Sequence, residues 1–364
     1  MIRPWLSLFL ILLPVSSFAG EFEISVFAGN GQAEWTELGQ SATSTALISP
    51  NGLDIDSASR VLIAEGETNQ IFRVDKKGSI EVVAGCGFAG FAGDGGPATE
   101  AFLTKPYSVL AEASGSILIA DQWNHRIRRV HSDQTIQTVV GNGEGFFGLG
   151  TYGGDGGPAL KAGLNFPSGM CEGPDGSLYI ADQMNGRVRK VDPKGTITSF
   201  ASPTGKLKLP LKRPIDLEMT SDGKILMVDA ANDQIYSVTP DGSADILIGP
   251  PISETMIPKH PGIYLNFPVA VEMARDGTLF WAETKNNRVC RLLPGESDPE
   301  VLMEGDKAPG IRIRGAAAKE EANRPKLGRP NDLLLLPDGA LLIADPDAHR
   351  VWKVTFSDSD SSES

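Results

Sequence analysis

The sequence has 364 residues, of which 41% are hydrophobic, and its 33 basic and 46 acidic residues give a net charge of -13. The apolar fraction is high enough for a folded core, which excludes a wholly disordered chain, and the acidic balance argues against binding to nucleic acid or to anionic lipid. The 41 glycines and 25 prolines indicate many turns and few long helices. Three cysteines are too few for a disulfide framework.

The N-terminus has the pattern of an export signal. Arg3 is its only charge, residues 5–15 form an apolar stretch, and small residues precede position 20 as a signal peptidase requires. The stretch is too short to span a bilayer, which needs about 20 residues. We expect residues 1–19 to be a cleaved signal peptide rather than a buried helix. The mature chain, from Gly20 with a net charge of -14, would then be secreted or periplasmic without a membrane anchor.

The chain that follows repeats one unit six times. A proline opens each copy: Pro50, Pro106, Pro167, Pro214, Pro268 and Pro330. An acidic residue follows fifteen positions later: Glu65, Asp121, Asp182, Asp229, Glu283 and Asp345. Five positions beyond the acid stands Gln70, Arg126, Arg187, Gln234, Arg288 or Arg350. No copy has an insertion between these positions, which indicates a structural repeat.

Each copy has the pattern of β structure. A short apolar run such as 333–336 is followed by a tight turn such as Asp175-Gly176, for which we predict a type I′ hairpin. Further strands, such as 126–130 and 135–140, complete four strands per copy, and successive prolines are 47 to 62 residues apart. The sequence therefore predicts an all-β fold: a six-bladed β-propeller of four-stranded antiparallel blades, as one domain over residues 20–356.

The two ends of the repeat region complement each other. The sixth copy ends at Val354 without a fourth strand, and residues 23–29 (EISVFAG) resemble residues 79–85 (SIEVVAG). We therefore predict that residues 22–28 complete the last blade, which closes the ring and removes an exposed edge. Only the acidic segment 357–364 (SDSDSSES) follows, for which we expect a disordered tail.

Two segments, 119–130 (IADQWNHRIRRV) and 179–191 (YIADQMNGRVRKV), resemble the signature of NHL repeats, as do two GDGGPA connections at 93–98 and 154–159. The resemblance covers residues 22–356 and implies a six-bladed propeller. NHL-type propellers include protein- and RNA-binding modules, extracellular sensor domains and a copper/zinc lyase. The related gluconolactonase-like propellers hydrolyse lactones with a divalent cation in the channel. Because such folds host many activities, function must be argued from the site.

Positions kept in all six copies are interpreted as structural. The acid fifteen positions after the proline can accept backbone N–H bonds in the following turn, and the Arg or Gln can brace the neighbouring loop. His125 and His349 share one position of the repeat with Asn69, Gly186, Asp233 and Asn287, which indicates turn residues rather than ligands. Since the sequence has only four histidines, it does not support a lyase of the family's type.

Positions that differ between the copies are candidates for function. Two and four residues after the prolines, in the strand predicted to line the channel, four adjacent blades carry acids: Asp216, Glu218, Glu272, Asp332 and Asp54. Converging carboxylates cannot all stay ionised without a cation or raised pKa values. Oxygen ligands suit Ca²⁺ or Mg²⁺, so we predict a metal site. The alternative is that the residues four positions after the proline face the next blade and that the acids merely solvate the channel.

Candidate ligand-binding residues come from the channel and from two Gly-rich connections, 85–106 and 141–167. Both connections carry aromatic residues, which could form a binding rim or could tuck under their own loops. The full set is Asn51, Tyr107, Asn331, Phe88, Phe91, Phe146, Phe147 and Tyr152. The GDGG runs are interpreted as tight turns, because no Lys follows with the spacing of a phosphate-binding loop.

The leading interpretation is an exported, monomeric propeller that acts as a binding scaffold for a protein, peptide or glycan and does not bind nucleic acid. The alternative is a hydrolase or lyase that uses a divalent cation in the central channel. The sequence contains no GxSxG, HExxH or CxxC motif, which favours the scaffold, whereas the acidic sector of the channel motivates the enzyme.

Overall fold

Six sheets form a closed ring in the computed structural model, which describes residues 21–34, 41–146, 148–239, 241–305 and 325–357. Five of these sheets have four antiparallel strands, and one has a fifth, short strand parallel to its fourth. The first strand of each sheet contacts the first strands of both neighbours, including the pair that joins the sixth sheet to the first. The predicted signal peptide (1–19) and residues 358–364 of the predicted tail lie outside the described residues. Within the described ranges, no helix is long and apolar enough to cross a membrane.

The strands follow the predicted repeat. The chain starts with β1 (Phe22–Ala28), and blade 1 contains β2 (Pro50–Ile55), β3 (Val61–Glu65), β4 (Gln70–Val74) and β5 (Ile80–Ala84). Blade 2 contains β6 (Ser108–Ala111), β7 (Ile117–Asp121), β8 (Arg126–Val130) and β9 (Ile136–Val140). A small hairpin, β10 (Gly145–Phe146) and β11 (Leu149–Gly150), precedes blade 3, which contains β12 (Pro167–Glu172), β13 (Leu178–Asp182), β14 (Arg187–Val191), β15 (Ile197–Ser202) and β16 (Leu207–Lys208).

The second half of the ring is built in the same way. Blade 4 contains β17 (Pro214–Met219), β18 (Ile225–Asp229), β19 (Gln234–Val238) and β20 (Ala244–Ile248). Blade 5 contains β21 (Pro268–Met273), β22 (Leu279–Glu283), β23 (Arg288–Leu292) and β24 (Glu300–Glu304). Blade 6 contains β25 (Asp332–Leu335), β26 (Leu341–Asp345) and β27 (Arg350–Phe356). Short 3-10 helices lie at Ala98–Glu100, Gln122–Asn124, Ala159–Lys161, Gln183–Asn185 and Ala230–Asn232.

The predicted closure is confirmed. β1 pairs antiparallel with β27, with Ile24 opposite Val354, and so supplies the fourth strand of blade 6. A buried cluster that includes Leu342 of blade 6 and Leu53 of blade 1 fills the seam between the last and the first blade. The seam at which the chain ends meet is therefore packed with apolar side chains, and β1 covers the edge that blade 6 would otherwise expose.

The Asp-Gly turns connect first and second strands as predicted, but the predicted turn type, type I′, was wrong. A type I′ turn needs positive φ at both central residues. Gly176 has a φ of 74°, whereas Asp175 does not have a positive φ. Gly176 donates its N–H to the Gly173 carbonyl at 2.9 Å, and Gly173 donates to Ser177 at 2.8 Å. The turn is thus an ordinary two-residue turn followed by one left-handed glycine, a loop one residue longer than predicted.

A buried carboxylate holds the entry to every blade. The acid at the end of each second strand is fully buried and accepts N–H bonds from the residues just before that blade's proline. The pairs are Glu65 with Ser49, Asp121 with Thr104, Asp182 with Asn165, Asp229 with Lys212 and Arg213, Glu283 with Asn266, and Asp345 with Gly328 and Arg329. The predicted structural role is confirmed, although the following turn, as at Thr68, supplies only part of the donors. We call this contact the entry clamp.

The residue four positions after the clamp acid links each blade to the next. It has a left-handed φ in all six blades: Asn69, His125, Gly186, Asp233, Asn287 and His349. The Phe166 N–H of the following blade donates to His125 Nδ1 at 3.2 Å, and the Phe267 N–H donates to Asp233 at 2.7 Å. The interpretation of His125 and His349 as turn residues is confirmed, because both bond to backbone groups of the next blade.

Buried arginines fix the two Gly-rich connections. Arg128 lies 2.7 Å from Asp94 and also donates to the Ala92 carbonyl, and Arg189 lies 2.7 Å from Asp155. Gly96 donates to the Gly93 carbonyl at 3.0 Å, so the first GDGG run is a tight turn, as predicted. The Asp of each GDGG run is thus the anchor of a connection, and the bracing role predicted for Arg extends to positions two residues further along the third strand.

We predict that Asp345→Ala destabilises the propeller by about 2–4 kcal/mol, because it leaves the Gly328 and Arg329 N–H groups buried without an acceptor. Urea unfolding measures the change. Asp338→Ala is the matched control, since Asp338 is an exposed acid of the same blade, 3.4 Å from Lys353, and should cost less than about 0.5 kcal/mol. Equal losses in the two variants would contradict the clamp.

Candidate functional site at the central channel and its upper mouth

The first strands enclose a cavity of about 200 Å³ on the axis of the ring. All five acids predicted from the sequence contribute to it: Asp54, Asp216, Glu218, Glu272 and Asp332. Apolar residues such as Leu110 and Leu334 line the rest of the wall. The five acids of the first strands thus converge on the channel, and their predicted role as metal ligands stays a prediction.

Two of the acids, each two residues after its proline, bind the neighbouring blade. Asp332 of blade 6 accepts the Leu53 N–H of blade 1 at 2.7 Å. Asp216 of blade 4 accepts the Val271 N–H of blade 5 at 3.0 Å. Each also accepts the N–H of the residue that follows it in the chain. These carboxylates thus join the first strands of two adjacent blades.

Two further acids, four residues after the proline, repeat this contact deeper in the channel. Asp54 of blade 1 accepts the Ala111 N–H of blade 2 at 2.6 Å, and Glu272 of blade 5 accepts the Leu335 N–H of blade 6 at 3.1 Å. The alternative considered for the residues four positions after the proline, that they face the next blade, therefore describes two of the three acids at that position. We call these four contacts the channel seams.

In blades 1 and 3 a glycine stands two residues after the proline, where blades 4 and 6 carry an acid. A Cβ on Gly52 would lie 2.6 Å from the Tyr107 carbonyl oxygen, and a Cβ on Gly169 would lie 2.6 Å from Asp216 Cα. Neighbouring backbones approach too closely there for any side chain. The differences between copies at this position therefore reflect in part how each pair of blades meets.

Glu218 differs from the other four acids. Among the described residues, no hydrogen-bond partner of its carboxyl group is found, and it faces the cavity. Burial, followed by the charges of Glu272 and Asp216, raises its pKa well above the usual range. Cys171 of blade 3 lies in the same environment, where burial and the nearby acids raise the thiol pKa.

Burial also raises the pKa of the acids that form the seams. It raises the pKa of Asp54 and of Asp216 to about 6, although the backbone hydrogen bonds to these carboxylates lower it. It raises the pKa of Glu272 to about 8. The pKa of Asp332 is also raised well above its usual range, by burial and by the charge of Asp216. Part of the channel is therefore protonated at neutral pH. Among the described residues, no group of three or more His, Cys, Asp or Glu side chains has the spacing to hold a metal ion.

A second polar cluster closes the channel at the end where the first strands begin, which we call the upper end of the propeller. Tyr107 of blade 2 donates its hydroxyl to Asn331 Oδ1 of blade 6 at 3.3 Å, and Asn331 Nδ2 donates to the Asn51 carbonyl at 3.0 Å. The Tyr107 ring packs against the apolar cluster of blades 4 to 6. The three residues predicted from the channel thus meet at its upper mouth, and their part in ligand binding stays a prediction.

The aromatic residues of the connections are exposed and backed by arginine. Phe91 is 43% exposed, with the Arg126 guanidinium 3.7 Å from the ring centre, and Tyr152 is 49% exposed, with Arg187 at 3.6 Å. Phe88 is exposed as well. Phe147 and the side chain of Phe146 lie outside the described residues.

Two exposed residues at the upper end were missed in the sequence analysis. Trp123 and Met184 occupy the same position of the repeat, in the turn after the second strand of blades 2 and 3, and each is about half exposed. Trp123 contacts Phe166 edge to face at 5.4 Å. Comparing the six copies at this position would have found them, since the other blades carry Glu67, Ala231, Lys285 and Asp347 there.

The fold defines the class: a six-bladed β-propeller, whose repeats resemble NHL repeats in sequence. No family model matches the chain. Teneurin-4 of Mus musculus is 24% identical over 348 residues, which cover 84% of this chain and 12% of that protein. The chain therefore spans about an eighth of the length of that relative.

Solved structures show the same fold at low identity. An auxiliary nutrient binding protein from Bacteroides thetaiotaomicron superposes with a TM-score of 0.64 and 12% identity, covering 92% of this chain and 76% of that one. A putative gluconolactonase superposes with a TM-score of 0.53 and 13% identity, covering 91% and 97%. Both likenesses concern the architecture.

We predict that the channel makes the protein less stable in alkali. A carboxyl group whose pKa is raised on folding contributes stability below its unfolded value, and that stability is lost as pH rises through the folded value. For Glu272 this window runs from 4.5 to about 8. The free energy of unfolding should fall by at least about 1 kcal/mol between pH 6 and 9, since one pKa unit corresponds to about 1.4 kcal/mol.

Glu272→Gln should flatten this dependence while its carbonyl oxygen keeps the bond to Leu335. Glu172→Gln, at an exposed acid that ends the first strand of blade 3, serves as the matched control and should leave the slope unchanged. Denaturant unfolding at several pH values measures both variants, and an unchanged slope in Glu272→Gln would refute the assignment.

Proposed function

We propose that the protein is a binding scaffold whose upper end takes a protein or peptide ligand. One observation carries this proposal: the distribution of exposed apolar side chains. Most of the large apolar residues that are exposed among the described ones lie in connections or turns at the upper ends of the blades, among them Phe88, Phe91, Phe102, Trp123, Leu149, Tyr152, Met184 and Tyr264. Leu160 is an exception, because the neighbouring Ala159 donates its N–H to Gly195 in a lower turn of blade 3.

This distribution is not required by the fold, because the turns at the lower ends connect the same strands with fewer such residues. Apolar side chains clustered on one face of a soluble protein are typical of interaction sites. The aromatic rings of Phe91 and Tyr152 are held by the arginines beneath them, so little conformational entropy is lost when they are covered. Rigid aromatic residues of this kind are common anchors of binding interfaces.

The aliphatic members of this surface favour a protein or peptide over a glycan. Leu149 and Met184 are at least 49% exposed and offer no hydrogen-bonding group. A polar sugar chain would gain little from such residues, whereas apolar peptide side chains would bury them. The nutrient-binding neighbour and the teneurin relative support a binding role at the level of the fold.

We expect peptides selected by phage display on the wild-type protein to lose at least about tenfold in affinity for a Phe91→Ser/Trp123→Ser/Tyr152→Ser variant. Truncation of one anchor commonly costs 1–2 kcal/mol or more, and 1.4 kcal/mol is tenfold. Fluorescence anisotropy measures the affinity. Lys194→Ser, in a turn at the lower end, is the control and should bind as the wild type does. Equal binding by the triple variant, or selection of no peptide, would contradict the proposal.

A second candidate function is a hydrolase or lyase that uses a divalent cation in the channel, and a putative gluconolactonase shares the fold. The specific observation in its favour is Glu218, whose carboxyl group faces the cavity beside Glu272 and Asp216. Against it, four of the five acids already accept backbone N–H groups.

Metal titration separates the two candidates. If the acids serve the channel seams, Ca²⁺ and Mg²⁺ at millimolar concentration should leave the melting temperature unchanged, and the purified protein should contain no stoichiometric metal. The enzyme candidate requires stabilisation by the cation that is lost in Glu218→Gln. Glu172→Gln is again the control, because this acid is exposed outside the channel.

A further inference from the structure

A pair of cations flanks one aromatic ring at the upper end of blades 4 and 5. The Arg213 guanidinium lies 5.2 Å from the centre of the Phe267 ring, and Lys285 Nζ lies 4.9 Å from it. Because both charges are about 5 Å from one point, they are no more than about 10 Å apart. Phe267 itself is fixed, since its N–H donates to Asp233 and its carbonyl accepts the Thr284 N–H.

Neither cation has a carboxylate partner within salt-bridge distance among the described residues, unlike the cations at equivalent positions. Arg213, Lys105 and Arg329 each directly precede a blade-opening proline. Lys105 is paired with Glu67 at 2.8 Å and Arg329 with Asp347 at 3.3 Å. Arg213 therefore lacks the carboxylate partner that Lys105 and Arg329 have at the same position of blades 2 and 6.

The hydrogen-bond donors of Arg213 are also unused. Its Nε is buried without a hydrogen-bond partner, and the same is true of the Nε atoms of Arg128, Arg189 and Arg350. Those three arginines bind carbonyl or carboxylate groups through their terminal nitrogens, whereas no such bond of Arg213 is found among the described residues. The terminal nitrogens of Arg213, rather than its buried Nε, are therefore the donors left for a partner from outside the chain.

The cation pair is next to the upper mouth of the channel. Arg213 and Phe267 stand immediately before the strands that line the channel. Burial and the charges of Asp332 and Asp216 raise the pKa of the Tyr107 hydroxyl at the mouth, and the charge of Arg213 acts against this rise. Tyr107 and Phe267 pack against the same apolar cluster. An anionic group bound between the two cations would therefore lie beside the Tyr107–Asn331 contact.

We propose that Arg213 and Lys285 form a binding site for a carboxylate group of a peptide ligand. The site rests on the proposed function, because it names the chemistry of the ligand that the upper end takes. A guanidinium fork binds a carboxylate through two parallel N–H bonds, and the flexible ammonium of Lys285 supplies a second charge. The carboxylate can come from an Asp or Glu side chain or from the C-terminus of the peptide.

Three pools of fluorescent random heptapeptides test this site on the immobilised full chain at physiological salt. The first pool has one Glu and an amidated C-terminus, the second has Gln in its place, and the third has Gln with a free C-terminus. Wild-type protein should retain the first or the third pool at least about tenfold better than the second. Which of the two is retained identifies the source of the carboxylate.

Arg213→Gln and Lys285→Gln should each reduce retention of the acidic pool to that of the neutral pool. Arg329→Gln is the matched control, since that residue holds the equivalent position but is paired with Asp347, and should retain the pools as the wild type does. Melting curves establish that the variants fold. An acidic pool retained equally by Arg213→Gln would overturn the site.

Failure of this site and failure of the proposed function give different results. Equal retention of all three pools by wild type and variants supports a peptide-binding upper end and overturns the carboxylate site. Retention of no pool by the wild type overturns both. An oligouronate that binds the wild type but not Arg213→Gln, in the absence of peptide retention, would assign the cations to an acidic glycan and overturn the peptide ligand.

Discussion

The entry clamp is the contact on which the rest of the propeller depends. A carboxylate taken out of water is costly unless hydrogen bonds replace its hydration. In every blade the replacement comes from backbone N–H groups just before the opening proline, as for Asp345 with Gly328 and Arg329. These N–H groups in turn have no strand partner, so each side needs the other. The clamp thereby sets where each first strand enters the ring.

Once the entry of a first strand is set, the spacing of the next four residues from the proline determines which way their side chains face. The positions two and four residues after the proline face the axis or the neighbouring blade, and the six boundaries between blades carry different residues there. Some boundaries have a carboxylate that accepts an N–H of the next blade, as Asp332 does with Leu53. Others have a glycine that lets the backbones meet, as at Gly169. Variation among copies at these positions is thus partly structural.

The repeat itself could be read from the sequence because it depends on local spacing: a proline, an acid and an Arg or Gln at constant intervals. The closure by β1 followed from the same logic. The seam bonds could not be predicted, since they depend on the stagger between neighbouring blades, which no local pattern encodes. The site of Arg213, Phe267 and Lys285 was missed for a related reason: two connections and a turn supply one residue each.

The cavity and the upper mouth of the channel differ in charge, and the number of acidic residues alone does not show how. Five carboxyl groups surround the cavity, yet burial raises their pKa values, so Glu272, with a pKa of about 8, holds its proton at pH 7. A protonated carboxyl group still accepts an N–H through its carbonyl oxygen, so the seam with Leu335 survives the loss of charge. The acids therefore act mainly as hydrogen-bond acceptors between blades. Asp54 and Asp216, whose pKa values are about 6, stay ionised at pH 7, so the channel keeps negative charge, whereas Arg213 at the upper mouth is positive and has no carboxylate partner among the described residues. An anionic ligand is consequently attracted to the mouth and gains nothing by entering the channel.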